Sequence, residues 1–464
     1  MKNSSKRLRK ALAALLAAAF CVPLAGGCGK SPKTADEEKV KLTLWLRPPA
    51  DALEHKIISN ERMEAVLIEK FPDIEFDFKT QPIGIDYRQE YDKALMADTA
   101  PGFYTSFSYT DLPSRMENGT VADITEFVEN WDLKKEGKVI DIFDHAISKN
   151  GKWYALPGEA YTEATLVNTK TIKSAGMDAG SLPKTWKEFA EFGVSVTDPS
   201  VPRIGYSLIG MDWCAWPFTA WVWSAGGEMV EPNEDGTYRV AFSDEPAVDA
   251  AVFLNEMIWK YKMTQKDVLA DLGTVHQNLV NGTACFSWMS LQDLDVDELA
   301  EFDMTMSDFT NMAMPVKDAS IPGPALAGGE VIAFNPKLSD KELETAWEVA
   351  TWLYFSDERM QVMCDELKEF KHNDIKVPGR ADWYDKKLQA NVSISKEQLE
   401  SLKELNKNAK PEPYCPHWSE IKSELVAPLQ KIYTTEGITR DEVKRLLSEC
   451  AEKIYTLYPN EFKK

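Results

Sequence analysis

Val40-Lys41-Leu42-Thr43-Leu44-Trp45 alternates apolar and polar positions with a period of two, which predicts a first strand ended by Arg47-Pro48-Pro49. Residues 50–70 carry a helix-like pattern. Ile74-Glu75-Phe76-Asp77-Phe78 alternates again as a second strand. Residues 87–97 predict a helix that stops before Pro101-Gly102, and Phe103 to Tyr109 is a short aromatic strand. Strand, helix, strand, helix, strand is the rhythm of a parallel sheet covered by helices, an α/β arrangement.

Farther along, helix starts dominate. Thr185-x-x-Glu188, Ser339-x-x-Glu342, Ser395-x-x-Gln398 and Thr439-x-x-Glu442 have capping-box form before apolar-periodic runs. Ser243-Asp244-Glu245-Pro246 opens another helix through Ala250, Phe253, Leu254 and Ile258. The last seventy or so residues lack strand periodicity and predict a mostly helical end. No repeat with a period of 20–50 residues is present.

The N-terminus has a different character. Lys2, Lys6, Arg7, Arg9 and Lys10 precede an apolar run from Ala11 to Phe20, which has the form of a secretory signal and is short for a membrane span. Leu24-Ala25-Gly26-Gly27-Cys28 resembles a bacterial lipobox. Residues 1–27 are therefore expected to be cleaved, Cys28 to be lipidated, and residues 28–38 to form a flexible tether. The expected location is the cell membrane, lipid-anchored and facing the extracytoplasmic side. Cys214, Cys285, Cys364, Cys415 and Cys450 then remain without CxxC spacing. They imply neither zinc nor a disulfide framework; a Cys415–Cys450 bridge and buried free thiols are both open.

The length of 464 residues predicts two or three domains at roughly 150 residues each. With 53 basic against 74 acidic side chains, the chain would repel phosphate backbones, so nucleic acid is not expected as a partner. Fourteen tryptophans require a large core or a surface for flat, partly apolar ligands. No phosphate loop, dinucleotide fingerprint, paired-histidine metal motif or nucleophile elbow occurs, so no cofactor, metal or catalytic residue is expected. Asp293-x-Asp295-x-Asp297 opens like a calcium loop, but Glu298 stands where glycine is needed and Met304 where glutamate is needed; it reads as a solvated acidic face.

Several segments in order resemble the sugar-binding branch of the bacterial ABC-transporter solute-binding proteins, the family that includes maltose-binding protein. Gly151-Lys152-Trp153-Tyr154-Ala155-Leu156-Pro157 is similar to its "DGKxYGLP" segment, and Leu166-Val167-Asn168-Thr169-Lys170 to its "YYNK" turn. Ala175-Gly176 with Leu182 to Phe189 is similar to "AG…P.TWDEF", and Gly282 to Phe286 to "GKAAM". Gly226-Gly227, Met314-Pro315, Gly328-Gly329 and Pro416-His417-Trp418 follow in family order. Asn150, Leu166-Val167 and Cys285-Phe286 depart from the family pattern. The resemblance implies a two-lobed periplasmic-binding-protein-like fold of type II, with lobes joined by hinge crossings and a mostly helical C-terminal segment. Lobe one is expected at 39–158 plus 322–375, and lobe two at 159–321 plus 376–464.

The implied function is a non-enzymatic, monomeric lipoprotein that captures a sugar or oligosaccharide between its lobes. It would deliver that ligand to ABC permease transmembrane subunits powered by a separate ATPase. Aromatic rings suit the C–H face of a pyranose, and carboxylates, amides and arginine suit its hydroxyl rim. Candidates at strand ends of the first lobe are Trp45, Arg47, and one of Tyr104 and Tyr109. Tyr161 and Glu163 lie near the first crossing. Trp213, Trp216, Trp221 and Trp223 crowd one helix, where Trp216 and then Trp213 are favoured as cleft-facing. Trp288 and Trp418 match family stacking positions. Glu330, after the glycine pair, is expected to accept hydroxyls where Gly328 and Gly329 let a ligand approach. The alternatives are a surface lyase or glycosidase using an acid pair in the cleft, and a receptor for an acidic sugar or a polyamine.

Overall fold

A computed structural model describes residues 39–82 and 87–464. The expected signal, Cys28 and the tether lie outside the described residues. The N-terminal elements occur in the predicted order, β1 (Val40–Arg47), α1 (Glu54–Lys70), β2 (Ile74–Thr80), α2 (Tyr87–Met96) and β3 (Phe103–Ser108), but the expected parallel sheet is limited to β1 and β2, because β3 joins another sheet in antiparallel pairing. β1 and β2 pair in parallel from Val40–Ile74 onward. Tyr109 leaves the third strand and enters a short 3-10 turn capped by Ser108 and Asp111.

Two long antiparallel strands organise the molecule: β4 (Ala155–Asn168) and, much later, β8 (Ala325–Phe334). Their register runs from Ala155–Ala333 to Glu163–Leu326. The ladder shifts at Gly158, between the Pro157–Val331 and Glu159–Glu330 pairs, leaving a bulge that bends a strand locally. On the first-lobe side, β3 pairs with β8 through Phe103–Phe334 and Ser108–Glu330. Past the bulge, the far half of β4 pairs with β6 (Ala284–Met289) and β7 (Phe309–Met312), and β6 continues in parallel to β5 (Ile204–Ser207).

Apolar clusters follow this division into two lobes. Leu42, Leu44, Leu67, Ile332 and Phe334 join α7 (Asp340–Phe355) through Ala346, Val349 and Ala350. The second lobe's largest core gathers α3 (Trp186–Val196), α4 (Ala215–Ser224), α5 (Glu245–Trp259) and the C-terminal helices α10 (Trp418–Thr434) and α11 (Arg440–Leu457). Capping boxes form at Thr185, Ser339 and Ser395; at Thr439 the side chain accepts from the Glu442 N–H. The helical end is as predicted, apart from a short strand at Ala409–Pro411 that adds to β8. All five cysteines from Cys214 onward are free and buried. Among the described residues no helix is long and apolar enough to cross a membrane.

Candidate functional site

The site begins where β4 passes from one lobe to the other. Tyr161 and Glu163 have the same parity on β4 and so share a face of the strand. Both line cavities that meet at Trp213, Trp216 and Leu272. The first cavity, about 670 Å³, is walled by second-lobe residues: Glu163, Asp212, Trp213, Trp216, His276, Trp288 and Asp293 are among them. The second, about 370 Å³, brings first-lobe residues opposite: Pro82, Tyr87, Arg88, Ser106 and Ser108 face Trp213, Trp216, Tyr161 and Glu330. The two cavities form one cleft between the lobes.

Helix α4 positions the aromatic wall. It is apolar all round and buried along its length except at Trp216, so its orientation is set by packing on every side. Trp221 is the interior residue of the cluster, and Trp223 donates to Glu228. Trp216 packs edge-on to Trp288 with ring centroids 4.3 Å apart, and Trp213 lies 6.0 Å from Trp216. The indole N–H groups of Trp216 and Trp288 are buried without a hydrogen-bond partner.

Carboxylates fill the floor. Glu163 is buried; one oxygen accepts from Gln292 at 2.6 Å and Oε2 has no partner. Loss of solvation, then the charge of Asp293, pushes the Glu163 carboxyl well above its usual range. Asp293 touches solvent inside the cleft, yet the surrounding protein raises it too. Burial, with the charge of Glu159 as the next cause, pushes Glu330 up to about 7. The cleft-lining basic residues are already paired: Arg88 with Asp111 at 2.7 Å, Lys422 with Glu412 at 2.6 Å, and His276 with Glu298 at 2.8 Å.

Of the expected ligand residues, Tyr161, Glu163, Trp213, Trp216, Trp288 and Glu330 come together here. Five others do not line the cleft. Trp45 packs edge-on against Tyr91 and Tyr104, 6.5 and 5.8 Å between centroids, in the first-lobe core. Arg47 turns outward to a bidentate pair with Glu64, because the last residue of β1 meets the side of α1. Tyr104 is buried under that packing, and Tyr109 stacks on Phe143. Trp418 is fully buried, its indole donating to Glu412 at 2.7 Å; it anchors α10. Gly328 and Gly329 also differ from expectation. They sit within β8, and a Cβ there would meet the rings of Tyr161 and Phe143 at 2.2 and 2.0 Å, so their close approach is to aromatic side chains.

Sequence reasoning missed Tyr87, Arg88, Ser106, Ser108 and Asp293. The first four sit at element ends with no distinguishing pattern. Asp293 was legible only as part of an acidic run; it is exposed, as that run implies, and its exposed face forms part of the cleft lining.

The family model for bacterial extracellular solute-binding proteins matches residues 57–360. The chain belongs to that family. No curated protein matches the sequence. Among solved structures, this solute-binding protein is similar to an ABC transporter solute-binding protein from Thermotoga lettingae bound with α-D-tagatose. That likeness has a TM-score of 0.72 at 18% identity, over 90% of this chain and 100% of the other. It is also similar to an ABC substrate-binding protein from Listeria monocytogenes in complex with cycloalternan (TM-score 0.71, 17% identity, 92% of this chain and 100% of the other). UgpB from Mycobacterium tuberculosis in complex with glycerophosphocholine matches with a TM-score of 0.71 at 14% identity, over 91% and 98% of the two chains. At these identities the likenesses speak to the fold, a two-lobed α/β solute-binding architecture.

Proposed function

We propose that this protein is the receptor of an ABC importer that captures a sugar or oligosaccharide in the inter-lobe cleft and hands it to a membrane permease. The observation that carries this reading is the pairing of an indole wall with unpartnered polar groups. Trp213 and Trp216 offer flat apolar surface backed by the buried Trp288, while Glu163 Oε2 and the Trp216 and Trp288 N–H groups lack partners. A buried polar group without a partner costs about 1–3 kcal/mol, and a small rotation toward a hydroxyl-bearing ligand would satisfy it. The ligands named for the similar structures, tagatose and cycloalternan among them, are rich in hydroxyls.

An enzyme reading would use Glu163 and Asp293 as its acid pair, but the match to a family of solute-binding proteins favours capture over hydrolysis. The second reading that an observation favours is a cationic solute such as a polyamine, because Asp212 and Asp271 line the cleft while its arginine and lysine are paired, and a cation would draw Glu163, Asp293 and Glu330 to their charged forms. The same charge pattern weighs against an acidic sugar.

Lipidation at Cys28 would hold the receptor beside its permease, and mass spectrometry of the membrane-extracted protein tests it. For the ligand, thermal-shift screening against neutral oligosaccharides, uronate oligomers and spermidine decides between readings. A solute at 100 times its Kd stabilises by about 2.7 kcal/mol, a readable shift. If no sugar or other small solute raises the melting temperature, the receptor reading fails; a response to spermidine alone selects the second reading.

A further inference from the structure

Away from the cleft, a second meeting of the lobes remains unexplained by solute capture. His55 lies near the start of α1, which packs on β1 and β2 of the first lobe. Opposite it stand Asp295 and Asp297, at the head of the short Val296–Glu301 helix, whose neighbours Leu294 and Leu299 belong to a second-lobe core. We propose that His55, Asp295 and Asp297 bind one divalent transition-metal ion that bridges the two lobes.

The geometry favours a shared ion over direct pairing. His55 Nε2 is 3.6 Å from Asp295 Oδ2, and His55 Nδ1 is 3.7 Å from Asp297 Oδ2. Both separations exceed the 2.7–3.2 Å or so of a hydrogen bond. One imidazole gives only one nitrogen to an ion, and the 3.7 Å between Nδ1 and Asp297 Oδ2 is near the roughly 3.4 Å between two ligands that each sit about 2.1 Å from a tetrahedral metal, with Asp295 as the third ligand. One ligand atom from each of the three residues can be chosen so that all lie within 4.8 Å of one another.

A second observation is independent of the acidic cluster. His55 is 7% exposed, and its Nδ1 is buried with no hydrogen-bond partner. An imidazole nitrogen left in that state costs free energy unless something occupies it. The ring is also held in place: His372 stacks on it at 5.0 Å with 14° between planes. Asp295 is oriented as well, since its Oδ1 accepts from the Asp297 N–H at 2.9 Å and Oδ2 stays available. Asp297 is exposed, so the site can be reached from solvent on that side.

One imidazole with two carboxylates, completed by water, suits Zn2+, Ni2+ or Mn2+ better than Ca2+ or Mg2+, which prefer an all-oxygen shell. The ion would hold α1 against the 295–297 turn. By linkage it would favour whichever lobe separation brings those residues together.

The test needs no organic solute, so its outcome is separate from that of the receptor reading. Tag-free protein is stripped with EDTA and titrated calorimetrically with Zn2+ and Ni2+, then with Ca2+ and Mg2+. The expected result is one Zn2+ or Ni2+ per chain, with His55→Ala and Asp297→Asn each weakening binding at least tenfold. Asp297 is exposed, so its variant keeps the fold and decides the matter if His55→Ala does not. No transition-metal binding, equal binding of Ca2+, or binding that survives Asp297→Asn overturns the proposal.

Discussion

Glu330 shows how one half-buried carboxyl couples the cleft to pH. Its folded-state value is pushed up to about 7 by burial, above the ordinary value of 4.5. Between those two values the folded chain binds more protons at this position than the unfolded chain. Stability from this group is therefore present at low pH and lost as pH rises through about 7. Glu330→Gln mimics the protonated form. The expected outcome is a melting temperature a few degrees higher than wild type at pH 8 and a difference that vanishes near pH 5, read by calorimetry across that range. Trp216 carries the corresponding ligand prediction. Trp216→Ala removes the one ring of α4 that is not fully buried and should weaken solute binding by about 2 kcal/mol or more, roughly 30-fold, measured by titration calorimetry. At this scale the sequence was half legible. A tryptophan's presence near a strand or helix end is written in the chain, but its direction is set by neighbours far away. Trp216 opens to the cleft, whereas Trp418 closes under Glu412, and nothing local separates them.

β8 carries the same lesson at the level of elements. The elements β1 and β2 were readable because their apolar and polar positions alternate, and β3 because its aromatic residues favour a strand. β4 was not, because its fourteen residues change partners midway and its far half is buried throughout, which erases the period of two. The glycine pair of β8 was visible, but its purpose was not, since the rings filling the space come from Tyr161 and Phe143. Gly329→Ala places a methyl at 2.0 Å from the Phe143 ring in a packed interior. Overpacking of this kind costs about 1–3 kcal/mol, and the expected outcome is a lower midpoint in urea with unchanged slope. Helix caps behave more locally. Ser339→Ala removes a reciprocal box at the head of α7 and should cost about 1 kcal/mol by the same measurement.

At the scale of the molecule, the two lobes are joined by a few chain crossings and meet along the cleft and at His55. β4 and β8 both pass between them, and a later segment follows: Asn373 donates to Leu291, Gly379 donates to Gly158, and Lys376 pairs with Glu159. A bulge at Gly158 and several parallel crossings suit a hinge that bends without tearing its ladder. A solute touching both walls must favour the closed form, since only there are both sets of contacts made. Small-angle scattering with and without a bound solute should show a smaller radius of gyration on binding, and Trp216→Ala should blunt the change at equal solute concentration. The division into two lobes was legible from ordered motifs along the chain; the way the first-lobe wall is assembled from Tyr87, Arg88, Ser106 and Ser108 required the tertiary structure.

The pairing of β4 with β8 also dictates when the molecule can finish folding. Ala155 finds its partner at Ala333 and Glu163 at Leu326, so the central ladder waits for chain made well over a hundred residues later. Contacts at such separation close slowly, and until they do β4 presents an unpaired edge able to recruit strands from other chains. A fragment that stops before β8 would hold every residue of the aromatic wall and still lack the strand that lines up its opposite side. Neither lobe is a self-sufficient folding unit; each is completed by the other's chain.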